Sequence, residues 1–153
     1  GDQLQQAPQS QISVSDADDT SPINPGAGNA INNSTLTISH DGGDQLTGGD
    51  YRLVVTTPAG ESYDLINETA TIDNVSSGII VNNVTTGANV SRIAVDEAPG
   101  DFGVGDTITV EVRGYPPSAG PNAGPVDYSG EWRVQIIHIP SDSVVKDTTV
   151  SVQ

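Results

Sequence analysis

Residues 36–44 read Leu36-Thr37-Ile38-Ser39-His40-Asp41-Gly42-Gly43-Asp44. Leu36, Ile38 and His40 alternate with Thr37 and Ser39, the two-residue period of a strand buried on one face. A double glycine follows in polar company. Glycine supplies the positive φ that a sharp reversal needs, so the chain is expected to turn at Gly42–Gly43. The alternation returns downstream, where Ile108, Val110 and Val112 interleave with Thr107, Thr109 and Glu111. At the C-terminal end, Trp132 to Ile139 (WRVQIIHI) meets Pro140 to Ser143 and then Val144 to Val152. So short a turn leaves a hairpin as the natural connection.

Outward from these anchors, further strands are expected at 11–16, 51–57, 61–65 and 92–95, with weaker ones at 69–72 and 78–81. Pro58-Ala59-Gly60 should turn the third strand into a hairpin. Residues 18–29 and the proline-rich stretch from Tyr115 to Gly130, with Pro116, Pro117, Pro121 and Pro125, read as loops. Seventeen glycines and ten prolines stay below the share that marks low complexity. Many short strands, frequent turns and no credible long helix indicate an all-β, helix-poor fold, an antiparallel β-sandwich. Trp132 is expected to pack in its core, and most of that core to be aliphatic.

A chain of 153 residues is one domain's worth, long enough to bury a core without staples. Twenty acids against five bases give a net charge of −15, which repels nucleic acid and anionic membranes alike. Lys146 is the single lysine, and most of the acids are the short Asp. Mutual repulsion among them is screened within about 3 Å in molar salt, so the surface resembles those of proteins from salt-loving organisms. Cysteine is absent, which removes disulfides and thiolate metal sites. No apolar run reaches the roughly eighteen residues that a membrane-spanning helix needs.

Few residues invite chemistry. His40 and His138 fall at inward positions near strand ends, where a histidine is expected to hydrogen-bond neighbouring backbone instead of binding metal. There is no nucleophile elbow and no His-Glu-x-x-His pair. Asp16-Ala17-Asp18-Asp19 fails as an EF-hand because Ser21 and Ala27 stand where the loop requires Gly and Glu. The chain is therefore read as a non-enzyme, with no metal or cofactor site. One motif is enriched. Asn-x-Ser/Thr occurs at Asn32, Asn33, Asn67, Asn74, Asn83 and Asn89, where chance predicts about two. Four of the six lie between 67 and 91, expected to be a polar, glycan-bearing surface segment.

Three segments carry a family resemblance: TISHDGGD at 37–44, FGVGDT at 102–107 and VQIIHIPS at 134–141. In this order they resemble the β-rich head of haloarchaeal type IV pilins. The resemblance implies an Ig-like head over 11–153. Residues 1–10 become a linker at the end of an N-terminal hydrophobic helix that this chain lacks. It also implies a structural subunit of an extracellular pilus, made with a leader cut by a prepilin peptidase and held in the membrane by the helix before assembly. Its partners would be other pilin subunits, in a helical homopolymer joined through that helix, and the surfaces or neighbouring cells to which the fibre adheres. The isolated head should be monomeric. Two rivals share parts of this pattern: an archaellin, which has the same helix-plus-head plan, and a carbohydrate-binding β-sandwich module of a cell-surface protein.

Overall fold

The computed structural model describes residues 6–19, 32–58, 60, 62–66, 79–83, 90–95, 100–115 and 129–153. Among these, every regular element is a strand: β1 Ser10–Asp16, β2 Asn32–Gly43, β3 Tyr51–Thr56, β4 Ser62–Asp64, β5 Ile79–Asn83, β6 Val90–Val95, β7 Thr107–Tyr115, β8 Gly130–His138 and β9 Ser143–Val152. They form two sheets, one in the order β1-β2-β7-β6-β5 and the other in the order β4-β3-β8-β9. Every pairing is antiparallel.

The alternating residues of the sequence are the ones buried. Leu36, Ile38 and His40 on β2, Ile108, Val110 and Val112 on β7, and Trp132, Val134 and Ile136 on β8 are all nearly inaccessible. Both sheets contribute to one hydrophobic cluster, which Leu53 and Val55 join from β3 and Ile93 and Val95 from β6. Trp132 lies at its heart, fully buried. Tyr51, Leu46, Leu65 and Phe102 are equally buried, although no alternating pattern marks Leu46, Leu65 or Phe102. Leu46 and Phe102 exchange backbone hydrogen bonds as an isolated bridge, which brings two loops into the core.

The two expected hairpins form. Val54, Val55 and Thr56 of β3 pair with Asp64, Tyr63 and Ser62, and Gly60 closes the turn on the Thr57 carbonyl at 2.9 Å. β8 pairs with β9 along its whole length, and Asp142, with a positive φ of 50°, donates its amide to Ile139 at the turn. One expectation is corrected. Gly42 and Gly43 do not reverse the chain; they prolong β2, pairing with Gln11 and Ser10. The ladder shifts register between Gln11 and Ile12, and Gly43 takes a φ of +84° there. A Cβ on Gly43 would overlap the Gln9 carbonyl oxygen, so the glycine serves close approach as well as φ. Boundaries also move. β2 starts at Asn32, four residues ahead of Leu36, and β7 runs on past Val112 to Tyr115. The proposed strand at 69–72 and most of the 115–130 loop lie outside the described residues.

Candidate functional site

The molecule has two distinguishable ends. At one, Ser10, His40, Tyr51 and His138 meet: Tyr51 is the register partner of His138, and Ile139 donates its amide to Asp50 at 2.8 Å. The Phe102 ring joins the sheets there, edge-on to His40 with centroids 5.4 Å apart and stacked with Tyr51 at 6.4 Å. At the other end, the amide of Gln153, just past β9, donates to Asp16 of β1 at 3.0 Å. Asn32 begins β2 there, eight residues from His40, which is about 26 Å of strand.

Asp44 organises the first end. Its amide donates to the Gln9 carbonyl at 3.0 Å, while its carboxylate accepts from the Gln9 amide at 2.8 Å. Its carbonyl accepts from Ser10 Oγ at 2.7 Å and from His40 Nε2 at 2.7 Å. Because a carbonyl only accepts, Nε2 carries the proton, and Nδ1 is buried without a partner. The His40 amide and carbonyl bond Asp106 and Gly105. Buried to 2 % exposure, His40 is a packing and tethering residue, as its alternation suggested. His138 binds its own turn: Nδ1 lies 2.6 Å from Ser141 Oγ and accepts from the Ser141 amide at 3.3 Å, and Ser141 Oγ reaches Ser143. A serine this close to an imidazole has the spacing of an activated nucleophile. Among the described residues, however, no carboxylate orients the ring, and the chain of bonds fastens the β8–β9 turn.

The loop carboxylates are occupied with backbone. Asp16 accepts from Asp18 and Gln153, Asp19 from Ser34, Asp64 from Ile66, Asp101 from Gly48 and Asp106 from Gly103, between 2.8 and 3.2 Å. Among the described residues, no three His, Asp or Glu side chains converge as metal ligands. Tyr51 Oη donates to Gly100 at 2.9 Å.

Of the six sequons, Asn32 and Asn33 open β2 and Asn83 closes β5; Asn67, Asn74 and Asn89 lie outside the described residues. Asn32 pairs with Arg113, Asn33 with Val112 and Asn83 with Val90. All three therefore sit at the end remote from Ser10. The large apolar residues left exposed among those described are Val104 (64 %), Val144 (56 %) and Ile139 (41 %). They lie on the loop behind His40 and on either side of the β8–β9 turn, at the Ser10 end. Strand alternation could not have marked them, because all three lie at or beyond strand ends. Comparison with protein-family models, with curated proteins and with solved structures finds no match to this chain.

Proposed function

We propose that this chain is the extracellular head of a filament subunit similar to haloarchaeal type IV pilins, mediating adhesion and cell–cell contact. In this reading the two sheets are the layers of an Ig-like sandwich. The strand order supports it: β1-β2-β7-β6 and β4-β3-β8-β9 follow the A-B-E-D and C′-C-F-G arrangement, with β5 added at an edge. The observation that carries the functional reading is the contrast between the two ends. The chain leads into β1 at the end with the exposed Val104, Ile139 and Val144, and Asn32, Asn33 and Asn83 stand at the opposite end. A head joined through residues 1–9 to an apolar helix would set its apolar end toward the filament axis and its modified end toward solvent. Repeated heterologous contacts then build an open helix instead of a closed ring.

The carbohydrate-binding alternative needs exposed rings; among the described residues Trp132, Tyr51 and Phe102 are in the core and Tyr63 is partly buried against it. The test is made on the full-length, leader-cleaved protein in its host. It should be recovered in fibres sheared from the cells, and deletion of its gene should reduce attachment to surfaces. A full-length protein that stays soluble and unassembled, with attachment unchanged on deletion, would sink the reading.

A further inference from the structure

We infer that the outer face of the five-stranded sheet, over β1, β2 and β7, receives a second copy of this chain. That copy presents the outer face of its four-stranded sheet. The inference rests on the filament reading above and names the faces through which its heads meet.

In an antiparallel ladder, register partners share a face and successive residues alternate between faces. Val14, Ile38 and Ile108 are partners across β1, β2 and β7, and the burial of Ile38 and Ile108 marks that phase as core-facing. The positions on either side of them therefore face outward. One row is Ser13–Ser39–Thr107 and the next is Ser15–Thr37–Thr109. None of the six is buried. Six hydroxyls thus stand in two rows of three, about 5 Å apart across strands and about 7 Å along them. Neither row holds a charge, on a chain whose net charge is −15. Acids bound the rows instead, Asp41 beyond Ser39 on β2 and Glu111 beyond Thr109 on β7.

The other sheet also departs from the acidity of the chain. Strands β3, β4, β8 and β9 carry Asp64, Glu131 and Asp147 against Arg52, Arg133 and Lys146. That balance leaves seventeen of the twenty acids and two of the five bases for the rest of the chain. The buried pairs Leu53–Ile136 and Val55–Val134 fix the core-facing phase of β3 and β8. Arg52 and Arg133 fall in the outward phase, their side chains about half exposed. In the row of Arg52 stand Ile137 and the exposed Val144. This face is charge-balanced and partly aliphatic, and its arginines are opposite in sign to the acids that bound the hydroxyl rows.

Contact between two copies strips water from whatever it covers, and an uncompensated carboxylate resists that strongly. Hydroxyls exchange water for new partners at little net cost. A neutral hydroxyl face and a face whose bases match its acids are therefore where one such molecule can lie against another. In the sandwich reading the two faces are on opposite sides of the shared core. Each copy then offers one face of each kind, and repetition gives an open stack instead of a closed pair. The contact takes effect where tethering holds the heads at high local concentration, so the isolated head stays monomeric.

The chain has no cysteine, so introduced thiols report only the contact. Full-length, leader-cleaved protein carrying both Thr37→Cys and Gln135→Cys is recovered in fibres sheared from its host and treated with a short bismaleimide. The double variant should give a ladder of covalent multimers on denaturing gels, and either single variant should give none. Thr37→Glu should lower the fibre yield several-fold, and thermal melts of the isolated variants keep folding separate from contact. Intact fibres without a ladder, dimers from a single variant, or an unchanged yield from folded Thr37→Glu would overturn the inference and leave the filament reading standing. Wild-type protein that forms no fibres would sink that reading and this contact with it.

Discussion

Tyr51 shows how one residue couples burial to a measurable response. Burial first, then the carboxylates of Asp101 and Asp106, push its pKa up to about 12 from the ordinary value of 10.0. The neutral phenol is also the form that can donate to the Gly100 carbonyl. In the unfolded chain Tyr51 ionises as the pH passes about 10, while the folded protein still holds the proton. The stability contributed by Tyr51 is therefore complete below about pH 10 and is lost as the pH climbs through about 12, on the order of 2 kcal/mol in all. Denaturant unfolding from about pH 9 to 11.5 should show wild type declining more steeply than Tyr51→Phe; coincident pH profiles would clear this phenol of the effect. At the same scale, the aspartates acquire a second meaning. Asp16, Asp19, Asp44, Asp64, Asp101 and Asp106 each accept backbone amides. A short carboxylate reaches nearby amides better than the longer Glu does. The excess of Asp thus serves the loops as well as the surface.

At the scale of the strand, β9 is the longest of the four sheet edges at 10 residues, against 7, 5 and 3 for β1, β5 and β4. A sheet edge of that length invites pairing with another chain. Lys146, the lone lysine, is the register partner of the buried Ile136, and the ladder shifts next to it, between Ile136 and Ile137. A charge in the core-facing phase beside a bulge is a known means of defending an edge. On the opposite face, Arg133 grips Asp147 through two bonds of 2.9 and 2.7 Å. That pairing raises the Arg133 pKa and lowers the Asp147 pKa, although both groups are well exposed and screened. Replacing Lys146 with Val should leave the thermal midpoint unchanged or higher and should introduce concentration-dependent self-association by sedimentation velocity. A variant that stays monomeric at millimolar concentration would show that other features protect the edge.

Across the whole molecule, the net charge of −15 opposes the compact state. Arg133–Asp147 and a 4.0 Å contact between Arg52 and Asp64 bridge opposite charges, but twenty acids against five bases leave most of the charge unneutralised. Screening relieves far more repulsion than it costs in attraction, so the thermal midpoint should rise from low salt into molar sodium or potassium chloride. A midpoint that is flat or falls would count against a surface adapted to brine.

Alternation in Leu36–His40, Thr107–Val112 and Trp132–His138 determined by itself which faces of the central strands are buried, because a period of two leaves one face to cover. The short connections, five residues between β3 and β4 and four between β8 and β9, determined those two hairpins, since a short connection restricts where the next strand can lie. The histidines were legible for the same reason: His40 shares the phase of Ile38, and His138 that of Ile136. What the tertiary structure alone decided depends on contacts distant in sequence. Leu46 and Phe102 belong to the core because their loops bridge each other across 56 positions. Gly43 is needed because Gln9 passes against it. The register shifts between Ser34 and Leu36 on β2 and next to Lys146 on β9 were set there too. A bulge appears only when a strand meets its partner, and one extra residue exchanges inside for outside along the rest of the strand.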